Sequence, residues 1–177
     1  MRVKDKLARY VFKRYTNNSR AAREVIPIAQ AKSVGILYDA SQRANAELIL
    51  NYAEELKQQG KNVVTFGFFN KKKLPDDLKR SVSHEFISRS DLNWYGIPKK
   101  NEFDIIANEP FDILLNLYLW HCIPLLVISA SSKAKFRIGK YFSDATLCFD
   151  FMINTEDHVS MEVFLSQVKL FFSKIKV

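Results

Sequence analysis

The residues best suited to chemistry stand directly after apolar runs. Val34-Gly35-Ile36-Leu37-Tyr38 leads into Asp39, Ser41 and Arg43, which bring a carboxylate, a hydroxyl and a guanidinium together. Asp39 in that position could orient a ribose or act as an acid or base. It could also start the following helix beside Ser41 as the capping residue, which is the more economical reading. Asn70 to Lys73 follow the second apolar run in the same way, Asn116 and Tyr118 close the third, and Gly139 and Lys140 the fourth. If these runs are strands of an open parallel sheet, the groups share one edge, where such sheets bind ligands.

Three further clusters carry charge or rings. Ser129 to Arg137 concentrates hydroxyls and cations, and Ser131, Ser132 and Lys133 could match the oxygens of an anion. Ordinary solvation or pairing of Lys135 and Arg137 accounts for the same residues. Asp150 interrupts the most apolar run of the chain, Leu147 to Ile153, so its carboxylate needs a partner, and Arg137 or Lys135 is the natural one. Trp94 and Tyr95 stand beside Lys99 and Lys100, an alternation that suits single-stranded nucleic acid. The commoner fate of a loop tryptophan, to plug the core beneath it, is the expectation here.

Several chemistries lack their residues. No G-x-G-x-x-G follows the first apolar run, where the chain reads Tyr-Asp-Ala-Ser-Gln-Arg, and no Walker-type phosphate loop occurs. A dinucleotide or nucleoside triphosphate held in the usual manner is therefore not expected, although a single phosphate is compatible. His84, His121 and His158 have no mutual spacing suited to a metal, and Cys122 and Cys148 read as reduced core thiols. No metal and no cofactor is expected, and no nucleophile–base pair or carboxylate pair assembles from spacing alone.

The elements that must position these groups follow from composition and period. The 177 residues are 47% apolar and 26% charged, the mixture of one globular domain. The net charge of +8 is uneven: residues 1–33 hold nine basic groups against Asp5 and Glu24, whereas the remainder holds 18 against 17. The chain divides into a basic arm, residues 1–33, and a near-neutral domain, residues 34–177, with an irregular insertion at about 70–108. In the arm, Val3, Leu7, Tyr10, Val11 and Tyr15 form a helical stripe. Arg2, Lys6, Arg9, Lys13 and Arg14 supply a basic face suited to a polyanion. A second helical stretch is expected from Arg20 to Ile26, and a short one from Pro27 to near Lys32.

Strands are expected at 34–38, 63–69, 111–117, 134–138 and 147–153. Leu125 to Ser129 would fit a strand as well as the helix otherwise read across 119–132, and Glu85 to Ser88 could form a short strand. A helix from Ser41 to Gly60, with apolar Ala44, Leu48, Tyr52 and Leu56, joins the first two strands. A closing amphipathic helix carries Met161, Phe164, Leu165, Val168, Phe171 and Phe172 inward. This order argues an α/β fold: a single three-layer, doubly wound, Rossmann-like, mostly parallel sheet of about five strands.

FDILLNL at Phe111–Leu117, AKFRIG at Ala134–Gly139, FDFMIN at Phe149–Asn154 and the upstream DLNWYGIP at Asp91–Pro98 resemble an uncharacterised family of short α/β proteins from Bacteroidota. That resemblance implies the fold and a bacterial origin, but no activity. More distantly, FDILLNL, a helix and AKFRIGKYF are similar to one Rossmann-like domain of heptosyltransferase-like glycosyltransferases. This is an analogy of fold.

Together these features suggest a cytoplasmic, non-catalytic module that binds a protein or polyanionic partner through its arm. A homo-oligomer or a weak contact with nucleic acid or an anionic membrane fits the same arm. The alternative is a transferase-like enzyme acting on a phosphorylated or glycosyl substrate at the C-terminal edge of the sheet. No apolar stretch is long enough to be a transmembrane segment.

Overall fold

The computed structural model describes residues 10, 12–16, 22–76, 78, 81–94, 96–99 and 106–175. Its elements alternate: β1 (Ser33–Asp39), α1 (Arg43–Gln58), β2 (Asn62–Phe69), β3 (His84–Ser88), β4 (Ile113–Leu117), α2 (Ile123–Ser131), β5 (Phe136–Lys140), β6 (Phe151–Ile153) and α3 (Met161–Lys174). The six strands form one sheet in the order β3-β2-β1-β4-β5-β6. Every pairing is parallel. This is an α/β fold with the strand order of doubly wound nucleotide-binding sheets, and the order reverses between β1 and β4.

Burial on both faces explains why the central strands are mostly apolar, with Thr65 and Asn116 as buried exceptions. Val34, Ile36 and Tyr38 of β1 pack with Ile49, Tyr52 and Leu56 of α1 and with Phe164 and Val168 of α3. Leu37 points the other way, into a cluster with Phe66, Leu114, Leu125 and Ile128. Successive strand residues alternate between faces, so a strand covered on both sides admits a polar residue only where it finds a partner.

Helix α2 is buried almost all round, from Pro124 to Ser131. One side meets the sheet, while Leu126, Val127 and Ala130 meet Phe12, Ala145, Cys148 and Phe149. A helix covered on every side has no polar stripe, which is why Leu125 to Ser129 also reads as a strand.

Within the arm, residues 12–16 form a helical turn docked on this outer face by Phe12, which is 0% exposed. Tyr15 packs partly against the same cluster, but Tyr10 is 66% exposed and does not belong to the inward stripe. Val3, Leu7 and Val11 lie outside the described residues. Ala22 to Ile26 has no helical structure, and Pro27 opens only a turn, with the Gln30 and Ala31 amides donating to its carbonyl at 3.0 and 3.1 Å.

Other expectations shift in detail. The sixth strand is β3, from the irregular segment, and pairs with β2 from Thr65↔His84 to Phe69↔Ser88. Of Leu147 to Ile153 only the last three residues are strand. Gln42, not Ser41, occupies the N-cap position of α1, and Ala44 on that helix is exposed. Trp94 plugs nothing; it is 84% exposed.

Candidate functional site

A crevice of about 620 Å³ opens at the C-terminal ends of the strands, where the strand order reverses. Asp39, Ser41 and Gln42 line it after β1, Phe68 and Asn70 from β2, Arg89 after β3, and Tyr118, Trp120 and His121 after β4. Cys122, Ile123 and Pro124 at the start of α2 close another side, with Leu92 and Gly96 from the insertion. The volume falls within the range of small-molecule sites, roughly 300–1,000 Å³.

Local hydrogen bonds shape the floor. Asp39, 7% exposed, accepts from the Ser41 amide at 2.8 Å, so the chain turns sharply out of β1. The Ser41 hydroxyl accepts from the Asn70 amide at 2.8 Å, tying the end of β1 to the end of β2. Gln42 makes no side-chain cap and the first turn of α1 holds no acidic residue. The partial positive end of that helix thus reaches the crevice without a side-chain anion of its own.

Sequence reasoning missed the pairing of His121 with Asp144. His121 Nε2 lies 2.9 Å from Asp144 Oδ2, and its ring stands edge-on to Phe142 at 5.5 Å. A carboxylate on one ring nitrogen sets the tautomer and leaves the other nitrogen for proton transfer. No sequence signal marks the pair, because Asp144 belongs to the loop after β5 and meets His121 only through sheet register.

Burial favours the neutral form of two other groups of the crevice. Burial pushes the Cys122 thiol up to about 12, and the neighbouring Asp39 charge adds to the effect. Burial also raises the Tyr118 hydroxyl well above its ordinary value, reinforced by Cys122 and Asp39. Both act as neutral, polarisable walls.

The remaining candidates are distributed around the fold. Arg43 is exposed beside the crevice and pairs with Glu47 at 3.3 Å. Asn116 is 3% exposed and donates to Ser129 Oγ at 3.1 Å, so it joins β4 to α2 inside the core. Ser131, Ser132 and Lys133 lie at the opposite end of the sheet, where α2 ends and β5 begins. The Ser131 hydroxyl donates to the Val127 carbonyl at 2.7 Å, Ser132 Oγ accepts from the Ala134 amide at 3.1 Å, and the Lys133 side chain is exposed.

Two of the cations near that end reach carbonyls. Arg137 Nη1 donates to the Ser129 and Ala130 carbonyls, each at 3.2 Å, and Arg23 donates to those of Ser132 and Ala134. Lys13 and Arg14 are exposed on the docked turn, whereas Arg2, Lys6 and Arg9 lie outside the described residues. Among the described residues no group of three His, Cys, Asp or Glu gathers as a metal site would require. Among the same residues no helix is long and apolar enough to cross a membrane.

Neither a curated protein nor a solved structure matches the chain. One family does match, the Family of unknown function (DUF6913), over residues 4–175, which takes in most of the arm and every strand of the sheet. The chain belongs to this family of unknown function.

Proposed function

We propose that the protein binds a small phosphate-bearing ligand in the crevice at the C-terminal edge of the sheet. The observation that carries this reading is the crevice itself, about 620 Å³ at the reversal of strand order. The charge around it agrees: Arg89 lines it, and Arg43, Lys71, Lys72 and Lys73 stand exposed on the same edge. Cations on one edge raise the local concentration of anions. The turn after β1 has no glycine for close approach to a pyrophosphate, so a single phosphate fits better than a dinucleotide.

Thermal unfolding with a panel of sugar phosphates and nucleoside monophosphates tests the reading. A ligand at 100 times its dissociation constant adds about 2.7 kcal/mol. Arg89→Gln should weaken whichever member binds. A panel without a single saturable shift removes the proposal.

The same crevice supports a transferase reading on one observation, the His121–Asp144 pair. An acceptor hydroxyl would need a base, and His121 is the group in place for it. A separate reading concerns the arm. Phe12 fastens it to α2 while Lys13 and Arg14 stay exposed, which supports a contact with a polyanionic or protein partner. Replacing Lys13 and Arg14 by Glu should weaken binding to RNA or to anionic vesicles and flatten its salt dependence. Unchanged binding at low and high salt would sink the arm reading and leave the crevice reading intact.

A further inference from the structure

The crevice has two unlike sides. Asp39, Ser41, Asn70 and Arg89 make one side polar, with Arg89 as its cation. On the other, Trp120 and Ile123 present apolar surface in spite of being large side chains: they remain 49% and 39% exposed. Pro124 beside Ile123 is buried and has no amide hydrogen to offer, and the indole face adds apolar area beside the polar groups of Tyr118 and His121. A half-exposed indole beside a cavity is uncompensated apolar area, and its flat face suits another flat face.

A planar heterocycle matches the flat face of the indole more fully than a puckered sugar does. It would cover the indole and exclude water from Ile123 while its anionic end meets Arg89 on the polar side. Asp39 fits the same ligand, since a carboxylate accepts from a ribose hydroxyl between the two ends.

We infer that Trp120 is a stacking platform and that the ligand is a planar ring joined to a single anionic group, as in a nucleoside monophosphate. The inference rests on the proposal that the crevice binds a phosphate-bearing molecule. It adds the ring and the residue that recognises it. Stacking of a base on an aromatic side chain is worth about tenfold or more in affinity.

Three probes separate the two ideas: adenosine 5′-monophosphate, ribose 5-phosphate and inorganic phosphate, each titrated calorimetrically into the full-length protein. Adenosine monophosphate should bind about tenfold or more tightly than ribose 5-phosphate. In Trp120→Ala that advantage should vanish while the affinity for ribose 5-phosphate stays within about twofold, and Trp120→Phe should keep most of it. Thermal unfolding of both variants confirms that the fold survives. If ribose 5-phosphate binds as tightly as adenosine monophosphate, or if Trp120→Ala keeps the advantage, the platform is wrong and the phosphate reading stands. If none of the three binds, both fall.

Discussion

Arg137 grips Asp150 with two parallel hydrogen bonds, Nε to Oδ2 at 3.0 Å and Nη2 to Oδ1 at 2.9 Å. The guanidinium is 5% exposed and the carboxylate 19%. The backbone repeats the link: the Arg137 amide donates to Oδ2 at 2.9 Å, and the Asp150 amide to the Arg137 carbonyl at 2.9 Å. The remaining Arg137 donor, Nη1, reaches the last carbonyls of α2, which have no partner within the helix. One side chain thus joins β5, the approach to β6 and the end of α2.

Asp150→Asn should therefore be costly, on the order of 3 kcal/mol, because it leaves a buried guanidinium without its counter-charge. Arg23, whose Nε is 3.9 Å from Asp150 Oδ1, loses the same counter-charge and is left beside Arg137 as a second cation. Urea denaturation of wild type and variant measures the difference. A change within about 0.5 kcal/mol, the range of ordinary surface substitutions, would show that the pair adds nothing.

Asp112 predicts the acid limb of stability. Burial works to raise its carboxyl, but Lys135 at 2.8 Å and the Lys32 and Ser33 amides at 2.8 and 3.2 Å prevail and hold it below the ordinary carboxylate value. A depressed folded pKa gives stability that is present above the unfolded value, near about 4, and is lost as pH falls through the folded one. Asp112→Asn should flatten the stability profile between about pH 5 and pH 2. Parallel profiles for wild type and variant would contradict this.

The two cysteines should be silent in the native protein. Burial pushes each thiol up to about 12, and in Cys148 it outweighs the opposing pull of the Arg137 charge. At about pH 8 the thiolate is too scarce to react. An aromatic disulfide reagent should label neither native cysteine, and both in urea. Rapid native labelling at either position would mean that the outer face of α2 or the crevice opens readily.

Gly139 should not tolerate a side chain. A β carbon built on it would lie 2.5 Å from both Cε1 and Cζ of Phe149, a ring that is 6% exposed and packed against α2. Gly139→Ala should cost about 1–3 kcal/mol as the ring is displaced. Its partner in register is Asn116 of β4, so the strain would reach the centre of the sheet. A midpoint equal to that of wild type would show that Phe149 can move aside freely.

Local pattern determined the fold class. Fully apolar runs of strand length separated by helical periods admit few architectures besides a parallel sheet with covered faces, and the six parallel strands agree. Pattern also marked Asp39 and Ser41 as residues of the C-terminal edge, and Asp150 as a carboxylate in need of Arg137 or Lys135, of which the fold chose Arg137. Each of these follows from what one residue requires of its immediate surroundings.

What remained belonged to tertiary structure, because it depends on which distant segments become neighbours. Strand order decided that β1 and β4 flank the crevice and that Ser131, Ser132 and Lys133 lie at the far end of the sheet. Burial of α2 on every side settled a segment whose apolarity has no period to read. The loop after β5 carried Asp144 to His121, across 23 residues. It was also the fold that left Trp94 and Trp120 exposed, since a tryptophan carries the same side chain whether it fills a core or faces a cavity. Only packing supplies or withholds the atoms that cover it.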